Sequence, residues 1–205
     1  MNKTLIKCTD VSYKNNDYSI LEDINLEIPC NQITAIIGPN GSGKTSLLKI
    51  LFGLIDKSSG TILRNFNQDD SSFIFQKHIF LNMTVFEVFN HALFCKDVPK
   101  QLRYQIVSEA INRYNIEHLK DKNVKLLSGG EQQIIALIRS LILKPKVLFY
   151  DEPLNDLDTH SSDYVVDILK ELHAKKVQLL IVTHDVNLLD KLKCKIIMMN
   201  KGKIK

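Results

Sequence analysis

The residues with the clearest capacity for chemistry stand in one run, Gly38-Pro39-Asn40-Gly41-Ser42-Gly43-Lys44-Thr45. The apolar run Ile33-Thr34-Ala35-Ile36-Ile37 precedes it; Ser46-Leu47-Leu48-Lys49-Ile50-Leu51-Phe52, stopped by Gly53, follows it. A G-x-x-x-x-G-K-T pattern between a strand and a helix predicts a loop that cradles phosphate. Glycine lets successive backbone N–H groups turn inward around an anion. The helix that begins there aims its positive dipole end at the same anion. Lys44 is placed to reach β- and γ-phosphates, and the Thr45 hydroxyl to ligate Mg²⁺. The alternative is a glycine-rich turn with no ligand, and the flanking strand and helix argue against it.

Two further stretches carry chemistry. Val147-Leu148-Phe149-Tyr150 is a continuous apolar strand running into Asp151-Glu152-Pro153. An acid delivered by a buried strand beside a phosphate loop suits a metal–nucleotide site, with Asp151 holding the metal directly or through water. Glu152, one residue on, points elsewhere and can polarise a water. Acids also favour helix N-termini for local reasons, so the pair has a structural reading as well. Leu127-Ser128-Gly129-Gly130-Glu131-Gln132 contains a capping box, Ser128-x-x-Glu131, opening a helix. Two glycines inside a cap cost helix stability. A loop–helix junction with free N–H groups is also an anion site, so cap and site can coexist.

These residues need elements to hold them. Leu5-Ile6-Lys7-Cys8 and the alternating Ile24, Leu26 and Ile28 predict N-terminal strands, with Tyr13 to Tyr18 as a polar turn between them. Thr61-Ile62-Leu63 and Phe73-Ile74-Phe75 predict further strands, the second ending in Gln76. From Lys77 the pattern turns helical. Thr84-Val85-Phe86-Glu87 fits a capping box, and Leu102, Ile106, Ala110 and Ile111 give the apolar stripe of a second helix. Strand and helix then alternate again. Glu131 to Leu143 is apolar on most sides and predicts a buried helix ended by Pro145. Leu179-Leu180-Ile181-Val182 is another buried strand, running into Thr183-His184-Asp185. The alternation predicts an α/β fold with a mostly parallel sheet covered on both faces. Ligands of such sheets bind beyond the carboxyl ends of strands, where the phosphate loop, Asp151-Glu152 and His184 all fall.

The composition fits an ordinary globular protein: 205 residues, 44% hydrophobic, 24% charged and net charge +4. No basic stripe with interleaved aromatics appears, so no nucleic acid is expected. The four cysteines, Cys8, Cys30, Cys95 and Cys194, show no metal-ligand spacing and suit reduced thiols. Met1 to Asp10 has no apolar core of a secretory signal. The longest apolar stretch, Ile134 to Leu143, is broken by Arg139 and is too short to span a bilayer.

With these motifs in this order, the chain resembles the nucleotide-binding subunit of ATP-binding-cassette (ABC) transporters over nearly its whole length. Gly38 to Thr45 match the Walker A loop, Gln76 the Q-loop glutamine, and Leu127 to Glu131 the ABC signature. Val147 to Glu152 match the Walker B strand with its catalytic glutamate, Leu157-Asp158 the end of the D-loop, and His184 the switch histidine. The resemblance implies a P-loop NTPase core with N-terminal antiparallel β strands and an inserted helical subdomain. One domain spans 1–205, with the core at 1–76 and 128–205 and the helical part at 77–127. It implies ATP and Mg²⁺ as cofactors, with Thr45, Gln76 and Asp151 around the metal. Two cassettes, identical or paired, would close head to tail over two ATP molecules. Ser128, Gly129 and Gly130 of one copy would then contact the ATP held by the loop of the other. Glu152 would act on water, His184 would contact the γ-phosphate, and Lys44 would neutralise phosphate charge.

An aromatic near the start usually stacks on adenine in this family; Tyr13 is favoured here over Tyr18. The chain departs from the family pattern at Asn31, where glycine is usual, at Ile134, where arginine is usual, and at Asn155, where serine is usual. None of these removes a catalytic group. The implied function is an ATPase subunit at the cytoplasmic face of a membrane, driving a separate transmembrane permease. A helix of that permease would dock on the apolar cluster within Lys77 to Met83. A compact stand-alone cassette suits export of peptides or bacteriocin-type compounds. The alternatives are an importer subunit, or a soluble cassette ATPase acting on nucleic acid or ribosomes.

Overall fold

The computed structural model describes residues 4–205; Met1 to Lys3 of the opening run lie outside the described residues. The chain divides into two compact units. One comprises the chain up to Gln76, Lys146–Asn155 and Asp163–Lys205; the other comprises Lys77–Pro145 and Asp156–Ser162. The sequence-based division leaves both 128–145 and 156–162 with the core.

The first unit holds two sheets. β1 (Thr4–Asn15) and β2 (Tyr18–Pro29) form an antiparallel hairpin, and β4 (Ser59–Arg64) pairs with the other edge of β1. Both hairpin strands outrun their apolar stretches. Tyr13 pairs with Leu21 and Asn15 with Tyr18, so only Asn16-Asp17 is left as the turn. Ladder hydrogen bonds extend past the buried residues into the solvated end of the ribbon, which a hydrophobicity pattern does not register.

The second sheet has the order β5 (Ser71–Ile74), β6 (Val147–Asp151), β7 (Gln178–Val182), β3 (Thr34–Ile37), β8 (Lys195–Asn200), β9 (Lys203–Ile204). Every neighbouring pair from β5 to β8 is parallel, and only β9 turns back antiparallel. All five residues of β6 are buried, as a strand covered on both faces requires. Helix α1 (Lys44–Phe52) packs against β6 and β7. Its C-terminal carbonyls are held by Arg64 of β4, which donates from Nε to the Leu51 carbonyl (2.8 Å) and from a terminal guanidinium nitrogen to the Ile50 carbonyl (2.6 Å). One hydrophobic cluster joins both sheets and α1. Its aromatic centre is Phe149, with ring centroids 5.2 Å from Phe52 and 5.8 Å from Phe66, at tilted or edge-on angles. Helices α5 (Thr159–Ala174) and α6 (Val186–Leu192) complete the alternation.

The second unit is helical, with α2 (Val85–Phe94), α3 (Lys100–Arg113) and α4 (Gly129–Leu141). Thr84 and Glu87 form the expected capping box of α2. The face of α3 differs from its sequence stripe. Val107, Ala110 and Ile111 are buried, while Leu102 is 45% exposed. At about 100° per residue, Leu102 projects well away from the direction shared by those three, so it cannot join their stripe. Arg139 of α4 lies over the Phe80 ring at 4.9 Å, and His78 hydrogen-bonds Gln133. Burial holds the His78 imidazole below the usual histidine range.

Phe149→Ala is expected to destabilise the protein by about 3–5 kcal/mol, through lost burial plus the cavity left beside the Phe52 and Phe66 rings. Urea denaturation measures this. A loss below about 1 kcal/mol would show that the aromatic centre is dispensable.

Candidate functional site: a phosphate loop, a buried acid and a glutamate–histidine pair

Three parallel strands end side by side and deliver the site. Ile36 of β3 pairs with Val182 of β7, and Val182 also pairs with Asp151 of β6. The residues following each strand therefore emerge along one edge.

From β3 comes the loop Gly38 to Gly43. A Cβ at Gly38 would lie 2.2 Å from the Met199 carbonyl oxygen, and Gly43 is the N-cap of α1 at φ 96. Neither position accepts a larger residue without moving backbone. Lys44, largely buried, bends its ammonium back over the loop and donates to the carbonyls of Gly38 (2.9 Å) and Pro39 (3.2 Å). Asn40 to Ser46 line a cleft of 540 Å³ together with Ile20, Gln76 and Glu152.

From β6 comes Asp151, only 1% exposed. The Thr45 hydroxyl donates to its Oδ1 at 3.2 Å. Burial raises the carboxyl pKa above the usual range, with the neighbouring Glu152 charge adding to the rise; the Thr45 hydrogen bond opposes it. A buried carboxylate and a hydroxyl converging on one point are hard oxygen donors. This donor set fits Mg²⁺, with the Gln76 amide lining the same cleft.

Glu152 follows in a left-handed backbone conformation, φ 52, with its N–H donating to the Val182 carbonyl at 2.8 Å. The His184 ring, delivered by β7, donates from Nδ1 to Glu152 Oε2 at 3.0 Å. The carboxylate is nearly covered, at 11% side-chain exposure, whereas the imidazole is 68% exposed.

Ser128, Gly129 and Gly130 open α4 in the helical unit. Ser128 caps the helix, and its own N–H is received by Glu131 Oε2 at 2.8 Å, which completes the capping box. Tyr13 is half-buried against the hydrophobic cluster and is not among the residues lining the cleft. The hairpin lines the cleft through Ile20 instead. Ile20 sits next to the turn, outside the Ile24/Leu26/Ile28 alternation, so no sequence signal marked it.

A sequence profile described as ABC transporter matches residues 21–155. The chain belongs to the ABC transporter family. The Fe(3+) ions import ATP-binding protein FbpC of Escherichia coli (strain K12) is 34% identical, over 98% of this chain and 61% of that protein. The sulfate/thiosulfate import ATP-binding protein CysA of Nitrosomonas europaea is 34% identical, over 97% and 59%. The chain thus spans about three fifths of the length of these relatives. The lipoprotein-releasing system ATP-binding protein LolD of Buchnera aphidicola is 32% identical, over 94% of this chain and 93% of that protein. Among solved structures, CbiO1 of Clostridium perfringens, part of the ABC transporter complex CbiONQ, superposes with a TM-score of 0.85 at 27% identity, covering 100% and 88% of the two chains. The dimeric bacterial ABC transporter cassette MJ0796 gives 0.86 at 25% identity, covering 98% and 96%.

For an ABC cassette, the α4 cap has a structural value separable from nucleotide. Ser128→Ala is expected to lower stability by about 1 kcal/mol, while Ser128→Asp, which can also cap, loses little. Chemical denaturation without nucleotide measures both. Equal losses in the two variants would show that the cap contributes nothing.

Proposed function

We propose that this chain binds and hydrolyses ATP with Mg²⁺, as one of a pair of cassettes driving a separate membrane-spanning partner. The observation that carries the reading is the meeting of a phosphate loop, a buried Asp151 and a Glu152–His184 pair at one strand edge. Lys44 and the amides of Gly41 to Thr45 hold the β- and γ-phosphates. Thr45, Asp151 and Gln76 hold the metal, which supplies positive charge to the phosphate oxygens. Glu152 accepts a proton from the attacking water, and His184 orients that carboxylate and reaches the γ-phosphate. The hydroxyl so formed bonds to the γ-phosphorus as the bond to the β-phosphate oxygen breaks, giving ADP and phosphate. Ile20, which lines the cleft where Tyr13 does not, is the better placed hairpin residue to meet the adenine.

The paired arrangement is supported by the dimeric cassette among the structural neighbours and by the place of Ser128-Gly129-Gly130 at a helix N-terminus. The direction of transport is better read as import than as export of peptides or bacteriocin-type compounds. Two of the relatives above are import proteins and the third belongs to a lipoprotein-releasing system. No helix among the described residues is long and apolar enough to cross a membrane, which fits attachment through a partner at the cytoplasmic face. Ile79, 88% exposed, and Leu81, 55% exposed, offer that partner an apolar surface, while Phe80 between them is buried.

Glu152→Gln is expected to reduce ATP turnover by about 10²-fold or more and to leave nucleotide binding intact. With ATP and Mg²⁺ the variant should elute as a dimer on size exclusion. Undiminished turnover would remove Glu152 from the role of base.

A further inference from the structure

The turn between β8 and β9 reaches both walls of the cleft through one residue. Asn200 pairs with Lys203, so Lys201-Gly202 alone makes the turn, and both residues are left-handed, at φ 46 and φ 76. This is the backbone of the tight hairpin turns that favour glycine. Gly202 is buried. Its N–H donates to the Ser42 carbonyl of the phosphate loop at 3.1 Å, and its carbonyl accepts the N–H of Glu22, in β2, at 2.9 Å. Both of its backbone groups are thereby committed to elements that line the cleft.

Strand β2 passes this turn at an irregular point. Tyr13 pairs with Leu21 and Lys14 with Ser19, which leaves Ile20 as an extra residue of β2, a bulge. A bulge re-aims a side chain, and Ile20 is the hairpin residue that lines the cleft. The Ile20 carbonyl is approached closely by two glycines. A Cβ built on Gly202 would lie 2.5 Å from its oxygen, and one built on Gly43, the N-cap of α1, would lie 3.1 Å from the same oxygen. The spacing between the phosphate loop and Ile20 is therefore set by backbone against backbone. The Lys203–Glu22 ion pair, 3.3 Å long, flanks this contact, but both side chains are exposed and the pair adds little.

We propose that Gly202 is a positioning residue for the nucleotide: it fixes the distance between the loop that holds phosphate and the Ile20 wall that meets the base. The proposal rests on the nucleotide reading above and deepens it by tying affinity to a turn outside the motifs. Gly202 does not line the cleft and acts through Ser42 and Ile20.

One added methyl group tests it. Gly202→Ala sets a Cβ against the Ile20 carbonyl and pushes that strand away from the loop. The ligands are ADP, which carries base and ribose, and inorganic pyrophosphate, which carries neither; both are titrated calorimetrically with Mg²⁺. Gly202→Ala is expected to weaken ADP binding about ten-fold and pyrophosphate binding less than about two-fold. Ile20→Ala should show the same preference for harming ADP, and the two changes together should cost little more than the larger alone, since one acts through the other. A general loss of structure would instead weaken both ligands in parallel. Hydrogen exchange in the unaltered protein gives a readout that needs no substitution: the Glu22 amide should exchange more slowly with ADP bound than with pyrophosphate bound. Unchanged ADP binding in Gly202→Ala, equal losses for the two ligands, additive losses in the double variant, or a Glu22 amide that does not respond to ADP overturns the tie and leaves the phosphate site standing. If the unaltered protein binds neither ligand, the nucleotide reading fails and the tie fails with it.

Discussion

Parallel register is the constraint on which the rest of this structure depends. With β6, β7 and β3 adjacent and aligned, the groups that follow them cannot avoid one another. Val182 pairs with Ile36 on one side and Asp151 on the other, so a loop of amides, an acid and a histidine leave the sheet at one level. Antiparallel neighbours would send alternate chain ends to opposite edges and scatter the same residues. Closeness at the site is thus a property of strand direction, fixed by the right-handed helical crossovers that parallel strands require.

Electrostatics at that edge is built from opposed demands. Asp151 is buried deeply enough that its carboxyl resists ionising, although the Thr45 hydroxyl donates a hydrogen bond to it. A hard cation at this point would reverse that preference, since its charge favours the ionised carboxylate. Lys44 stands on the other side of the loop with its ammonium against backbone carbonyls, groups that a phosphate oxygen outcompetes as a partner. Glu152 holds a left-handed backbone, uncommon for a residue with a side chain, and is secured by the Val182 carbonyl. The strain is local and sits where the carboxylate has to be aimed.

The sequence made the site more legible than its surroundings, for physical reasons. Gly38 to Thr45, Ser128 and Asp151-Glu152 were readable because each depends on local backbone chemistry: turns, caps and strand ends. The capping boxes at Thr84 and Ser128 were legible for the same reason, and both formed. What long-range pairing decides was less legible. The hairpin runs to Asn15 and Tyr18 because cross-strand hydrogen bonds continue where hydrophobicity stops. Ile20 became part of the cleft through the way β2 passes the phosphate loop. The approach of Asp156 to Gly129 joins residues 27 positions apart that no periodicity connects.

The capping box of α4 has one more consequence. Ser128 and Glu131 close the helix end with groups of the same turn, so that end is already capped in the single chain. A surface finished in advance orders nothing further when another molecule meets it. Fixing even one flexible residue costs roughly 1–2 kcal/mol, and a turn left to fold on contact would carry that penalty several times over. The face that α4 offers is in this sense rigid tooling: encounters with it succeed or fail on fit and charge, at rates set by docking rather than by refolding.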